Sequence, residues 1–288
     1  MPIVSPRVRA LFVGAVLTGC CRVGASQVPV SSAELQRERR AQEERAGHGY
    51  ESALVSPFVV MAYGGADLRE DATQTITWAR DRLRADFFEK EPGKPLTIWV
   101  YYDEASYRSG SSAVLGIIPT TPYGFYRPCS RALVVNAGYG WGTLVHELVH
   151  AYMDADFPEA PVWMQEGLAS LFEAPRDVGG HLEGKINWRL PELQQAIRSG
   201  RAPSFHRLVT GSRGDFDGKD GSLYYATARY LLWYLQREGR LRDYYRAYRE
   251  RVGVDATGLR VLREVTGSEL SALRAAFERA VLSVSYRR

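Results

Sequence analysis

Cysteine is scarce in this chain of 288 residues: it occurs at positions 20, 21 and 129, which is too few for a disulfide framework. Lysine is also rare, so nearly all of the 37 basic residues are arginine. No basic run is interleaved with aromatic residues, which argues against a nucleic-acid-binding surface. No internal repeat or low-complexity tract is present. The remaining composition, 45% hydrophobic and 11% aromatic, suffices for one large domain or for two lobes that share a cleft.

The N-terminal residues form a targeting segment that lies outside the fold. Two arginines precede an apolar run over residues 10–17, which cannot span a bilayer because spanning requires about 20 residues. The run ends in Leu17-Thr18-Gly19-Cys20, which resembles the lipobox of bacterial lipoproteins. The resemblance implies a signal peptide over residues 1–19 and a lipid anchor on Cys20, on the periplasmic face of a membrane or at the cell surface. The alternative is ordinary secretion with cleavage near residues 24–26.

Residues 20–48 are predicted to form a charged tether between this anchor and a domain over 49–288. The stretch 31–46 has almost no apolar stripe, which is typical of a solvated helix or a disordered spacer. Cys21 would lie in the tether, and we therefore expect no disulfide bond between it and Cys129.

Beyond residue 49, the spacing of apolar residues predicts an α+β fold. Alternating and β-branched residues indicate strands, and apolar residues three or four apart indicate helices. The expected strands are 57–63, 96–102, 124–126 and 132–136, the last two paired as a hairpin around Pro128. The expected helices are 66–88, 141–154, 162–173, 192–198, 222–237, 240–251 and one after Gly267. The outline is a mixed α/β lobe over 49–175 followed by an all-helical lobe over 176–288.

The most informative motif is the H-E-x-x-H sequence formed by His146, Glu147 and His150 on the predicted helix 141–154. Side chains four residues apart on a helix lie on the same face. The two imidazoles can therefore bind one metal ion, while the Glu147 carboxylate projects beside it as a base.

A catalytic zinc ion requires a third protein ligand and one open position for water. The candidate carboxylates are Asp154, Asp156, Glu159, Glu166 and Glu173. Asp156 lies six residues after His150, as the third ligand does in some metzincins, but Met153 stands where those enzymes have a turn-forming glycine. Glu166 is the better candidate, because a short loop with two prolines must bring its helix back against the first.

Together with Pro161-Val162-Trp163-Met164-Gln165-Glu166-Gly167-Leu168-Ala169, the H-E-x-x-H motif resembles the gluzincin zinc metallopeptidases, specifically the bacterial peptidase-MA-like family. The resemblance covers roughly residues 96–235. It implies a zincin-like fold in which His146, His150 and Glu166 bind Zn²⁺ and Glu147 acts as the general base.

The resemblance also nominates residues around the metal. The helix predicted at 222–237 is similar to the family's tyrosine-bearing helix, which suggests Tyr225 as a donor to the oxyanion; Tyr224 and simple packing are the alternatives. Thermolysin-like members have an aspartate four residues after the glutamate ligand, where this chain has Ser170. Glu173 is the candidate to orient a histidine instead, and a structural salt bridge is its alternative role.

The sequence thus predicts a zinc-dependent peptidase that hydrolyses peptides or proteins outside the cytoplasm, anchored to a membrane through Cys20. Two alternatives remain: a catalytically silent metal-binding or scaffolding lipoprotein of the same fold, and a zinc amidase acting on cell-wall peptide. No nucleic-acid partner is expected. The strand at 131–136 is expected either to be internal or to lie at a sheet edge, where its backbone could pair with an extended substrate.

Overall fold

The chain folds as α+β over residues 24–26 and 29–286, which a computed structural model describes. Its strands are β1 (Ala25–Ser26), β2 (Tyr50–Val55), β3 (Phe58–Tyr63), β4 (Glu91–Pro92), β5 (Leu96–Tyr101), β6 (Gly124–Arg127), β7 (Ala132–Asn136), β8 (Pro175–Val178) and β9 (His181–Gly184). Its α-helices are α1 (Ser32–Ala46), α2 (Ala66–Asp86), α3 (Glu104–Leu115), α4 (Gly142–Asp156), α5 (Val162–Leu171), α6 (Leu190–Arg198), α7 (Phe205–Val209), α8 (Arg213–Asp217), α9 (Gly221–Arg237), α10 (Leu241–Arg251), α11 (Leu259–Thr266) and α12 (Leu270–Leu282). The predicted α+β class is confirmed.

The central sheet has the strand order β2-β3-β5-β7-β6. Strands β3, β5 and β7 run parallel, and β2 and β6 pair antiparallel at the two edges. Every residue of β5 is buried, because helices cover both faces of the sheet. Val60 and Ile98 belong to the core shared with α2 and α4, whereas Met61 and Trp99 belong to the core shared with α1 and α3.

Strands β6 and β7 form the hairpin predicted around Pro128. Strand β7 lies between β5 and β6 and is therefore internal, so the alternative that residues 131–136 form an edge strand is wrong. The edge on this side of the sheet is β6, and it contacts α4.

Helix α4 follows β7 after a single 3-10 turn and packs against the sheet, and α5 then returns against α4. The two helices approach most closely where α5 ends and α4 begins. A Cβ atom at Gly142, in the first turn of α4, would lie 2.0 Å from the carbonyl oxygen of Glu173, just after α5. Only glycine allows this approach, which brings the end of α5 beside the start of α4.

In the lobe after residue 175, helix α9 packs against α5, α6, α8, α10 and α12. The lobe is not wholly helical as predicted, because β8 and β9 form an antiparallel hairpin. Its two strands are short and polar, and they lack the alternation of apolar and polar residues that predicts a strand. Asp86, at the end of α2, accepts hydrogen bonds from the backbone N–H of Leu182 at 2.8 Å and from Nδ1 of His181 at 2.7 Å. The hairpin thus connects the second lobe to the first.

Helix α1 lies within the segment predicted as a tether over residues 20–48, and it is the mostly exposed helix that was one of the two alternatives there. Ser31 and Glu34 form a capping box at its start. Val30 and Leu35 are buried in the core that includes Met61 and Trp99, so the helix packs against the sheet. One buried leucine in a charged helix is too weak a pattern to predict this contact. From Val30 onward, the segment belongs to the domain.

Cys129, in the turn between β6 and β7, is disulfide-bonded, contrary to our expectation. The other cysteines, the signal peptide over 1–19 and the predicted lipidation of Cys20 lie outside the described residues. In the described part of the chain, no helix is long and apolar enough to cross a bilayer.

Candidate metal centre

Helix α4 places the two histidines of the motif on one face, as the spacing predicts. His146 and His150 are both buried, and their Nε2 atoms lie 3.1 Å apart. The helix is buried along almost its whole length, which restricts the rotamers of both rings. Two ring nitrogens therefore point to one position beside the helix.

Glu166, on α5, supplies a third ligand atom at the same position. Its Oε2 lies 3.7 Å from Nε2 of His146 and 3.6 Å from Nε2 of His150. Zinc bonds of 2.0–2.1 Å in a tetrahedron place neighbouring ligand atoms about 3.3 Å apart. The spacing and the His₂Glu donor set both fit a catalytic zinc ion.

Glu147 lies beside these ligands and is buried. Burial raises the pKa of its carboxyl group, against the pull of His146 and His150, and the carboxylate of Glu166 adds to the rise. Gly124, at the start of β6, lies close by: a Cβ atom there would be 3.6 Å from Cγ of Glu147. The side chain of Glu147 thus lies beside the first residue of the edge strand, and a raised pKa suits a group that accepts and returns a proton.

Glu173 contacts the other side of His146. Its Oε1 lies 3.3 Å from Nδ1 of His146. Arg189 donates to both oxygens of the same carboxylate, at 3.0 and 3.3 Å, and Asn187 donates at 3.4 Å. Burial alone would raise the pKa of Glu173, but the charge of Arg189 and the contact with His146 hold it well below its usual value. Glu173 therefore lies where a residue that orients His146 is required.

The second oxygen of Glu166 binds Arg213, which the sequence did not suggest. Nη1 of Arg213, on α8, donates to Oε1 of Glu166 at 2.6 Å. Burial would raise the pKa of Glu166, but attraction to His150 and Arg213 keeps it well below its ordinary value. The carboxylate is thus ionised, with Oε2 near the two histidines and Oε1 bound to Arg213.

Of the two candidate tyrosines, Tyr225 lies on the side of the metal ligands. The guanidinium of Arg189 stacks over its ring at 5.1 Å. Burial raises the pKa of Tyr225, and the carboxylate of Glu166 raises it further. The hydroxyl of Tyr224 instead accepts a hydrogen bond from Arg207 at 3.0 Å. The two tyrosines thus have different neighbours: Tyr225 lies beneath Arg189, which also binds Glu173, and Tyr224 binds Arg207.

The other candidate ligands lie elsewhere. Asp156 accepts hydrogen bonds from the backbone of Glu89 and Lys90, from Tyr245 and from Arg249. Asp154 accepts from Tyr126 at 3.1 Å. Ser170, which stands where thermolysin-like members have an aspartate, is buried. Within residues 24–26 and 29–286, the cluster able to hold a metal ion consists of His146, His150 and Glu166.

No protein-family model matches the chain, and no curated protein is similar enough to it in sequence to count as a match. The chemistry of the site therefore depends on the geometry described above. That geometry combines three side chains that could hold one metal ion, a second buried carboxylate beside them and a third carboxylate behind one histidine.

Proposed function

We propose that the chain is a zinc-dependent peptidase of the gluzincin type, with a zincin-like fold related to the peptidase-MA-like family. The convergence of Nε2 of His146, Nε2 of His150 and Oε2 of Glu166 carries the proposal. Glu147 lies beside this set, and an acidic side chain at that place is what separates a hydrolytic site from a purely structural one.

Zinc, when bound, polarises a substrate carbonyl and lowers the pKa of a water molecule to about 7. Glu147 accepts the proton of the attacking water and then delivers it to the amine that leaves. Tyr225 donates a hydrogen bond to the carbonyl oxygen as negative charge develops there. Glu173 keeps the proton of His146 on Nδ1, so that Nε2 presents its lone pair to the metal.

The edge strand β6 supports a peptide as the substrate. Its first residue, Gly124, lies beside Glu147, and β6 pairs with β7 on one side only. We propose that an extended peptide pairs with the backbone of β6 on its other side. The disulfide bond of Cys129 accords with an oxidising compartment, and hence with export. The proposed anchor on Cys20 depends on the resemblance of Leu17-Thr18-Gly19-Cys20 to a lipobox.

The test compares the full chain, purified in detergent, with Glu147→Gln. We expect one zinc ion per chain in both proteins and cleavage of an unfolded protein substrate only by the first. The loss should be at least roughly 100-fold, because general base catalysis contributes that much. Asp154→Asn is the matched control: it lies on the same helix but contacts Tyr126, and it should stay active.

The alternatives give different results in the same assay. A silent scaffolding lipoprotein would bind zinc and cleave nothing, and equal activity in the two proteins would remove Glu147 from the mechanism. Hydrolysis of cell-wall peptide with no cleavage of proteins would support the amidase instead.

A further inference from the structure

The two oxygens of the Glu166 carboxylate have different neighbours. Oε2 is the atom near the histidine nitrogens, at 3.6 and 3.7 Å, whereas Oε1 accepts a hydrogen bond of 2.6 Å from Arg213. A carboxylate can bind a metal ion through one oxygen or through both. Here the second oxygen already has a cationic donor.

The number of oxygens that bind matters for the proposed reaction. A catalytic zinc ion keeps three protein ligands and one open position. If Glu166 bound through both oxygens beside two imidazoles, its second oxygen would fill the fourth position, and water could bind only as a fifth ligand. A group that holds Oε1 away from the metal therefore preserves the position for water.

Arg213 is held firmly enough to do this. Its side chain is only 19% exposed. Its helix α8 starts with a capping box between Ser212 and Asp215. Phe216, on the same helix, is buried with its ring 5.3 Å from that of Tyr225. Helix α8 is thus packed on the tyrosine-bearing helix α9, which holds the backbone of Arg213 in place.

Tighter metal binding does not explain why Arg213 lies beside Glu166. A cation beside a metal ligand opposes the binding of a divalent cation, most strongly where burial lowers the effective dielectric constant. A site built for tight binding alone would place a neutral donor on Oε1. The hydrogen bond from the guanidinium instead fixes the position of Oε1.

We propose that Arg213 is a positioning residue that keeps Glu166 a one-oxygen ligand and so keeps the fourth metal position free. The inference depends on the proposed zinc site. It does not depend on which bond the enzyme hydrolyses.

The experiment uses Co²⁺ in place of zinc, because tetrahedral Co²⁺ absorbs visible light more strongly than five-coordinate Co²⁺. The full chain, Arg213→Met, Arg213→Lys and Arg207→Met are loaded with Co²⁺, and the absorption, the affinity for Co²⁺ and the kinetics on a peptide are measured. Arg207→Met is the matched control: Arg207 lies on the neighbouring short helix α7 and binds Tyr224, not a ligand. Circular dichroism checks that every variant is folded.

In Arg213→Met we expect weaker visible absorption, an affinity for Co²⁺ equal to or higher than that of the full chain, and a kcat lower by roughly 10- to 100-fold at nearly constant KM. Arg213→Lys should partly restore the absorption, and Arg207→Met should resemble the full chain. An unchanged spectrum in metal-loaded Arg213→Met, or loss of the metal from it, overturns the inference. If the spectra change as expected but no protein cleaves a peptide, only the peptidase proposal fails. A full chain that binds no Co²⁺ and no zinc overturns both.

Discussion

His146 is fixed at both ring nitrogens by carboxylates that lie seven residues apart in sequence. Glu166 lies near Nε2 and Glu173 near Nδ1. An ionised Glu173 requires the proton of the neutral ring to be on Nδ1, which leaves Nε2 as an acceptor for a metal. Arg189 holds Glu173 in turn. The orientation of His146 thus depends on two charged side chains in series, Glu173 and Arg189.

Tyr225→Phe should lower kcat by roughly 100- to 1,000-fold while zinc binding is unchanged, because removal of one oxyanion donor has an effect of that size. The hydroxyl group is lost, but the ring stays beneath Arg189 and the packing is kept. Steady-state kinetics with a peptide, together with zinc analysis, measure the effect. Tyr224→Phe is the control, since its hydroxyl binds Arg207, and it should remain within a few-fold of the unaltered chain. If Tyr224→Phe lowered kcat more than Tyr225→Phe, Tyr224 would be the oxyanion donor.

Residues within one helix could be predicted from the sequence, whereas those that meet across the fold could not. The period of 3.6 residues brings His146 and His150 together without any tertiary information. Glu166 required only the assumption that a short loop returns. Arg213 lies 47 residues from Glu166 on a five-residue helix, so no local pattern indicated their contact.

The junction of α4 and α5 depends on one glycine. A Cβ atom at Gly142 would lie 2.0 Å from the Glu173 carbonyl oxygen, so Gly142→Ala must separate the two helices. We expect a loss of about 1–3 kcal/mol in the free energy of unfolding, as for other overpacked sites. We also expect weaker zinc binding, because the movement displaces Glu173 from His146. Urea titration and zinc competition measure these two quantities.

Gly253→Ala is the control: Gly253 follows α10, away from this junction, and a Cβ atom there would meet nothing within 4 Å. It should change the free energy of unfolding by less than about 0.5 kcal/mol. If the two variants were equally stable, the approach of α5 to α4 would not depend on glycine.

Long elements with a clear period were predicted, and short or polar ones were not. Strands β3 and β5, helices α2, α4 and α9, and the β6–β7 hairpin lie where expected. Helix α3 was missed because serine, glycine and alanine occupy many of its positions and leave no strong apolar stripe. The hairpin of β8 and β9 was missed because its strands have four residues each and are mostly exposed.

At the scale of the whole molecule, the candidate site joins the two lobes. Helix α4 packs on the sheet, and α5 packs on both α4 and α9. Glu166 then binds Arg213 from the helical lobe, and Glu173 binds Arg189 from the same lobe. A metal ion that draws the histidines and Glu166 together would therefore stabilise the contact between the lobes as well as the site.

Zinc should consequently raise the thermal stability of the whole chain. A ligand that binds only the folded state at about 1,000 times its Kd contributes about 4 kcal/mol. For a chain of this size, each kcal/mol raises the Tm by about 2–4 °C, so we expect roughly 10 °C between the zinc-loaded and the chelator-treated chain. Calorimetry of both forms measures the difference. In Glu166→Ala the third ligand is lost, and zinc should give almost no increase. An equal increase in that variant would mean that zinc binds elsewhere in the chain.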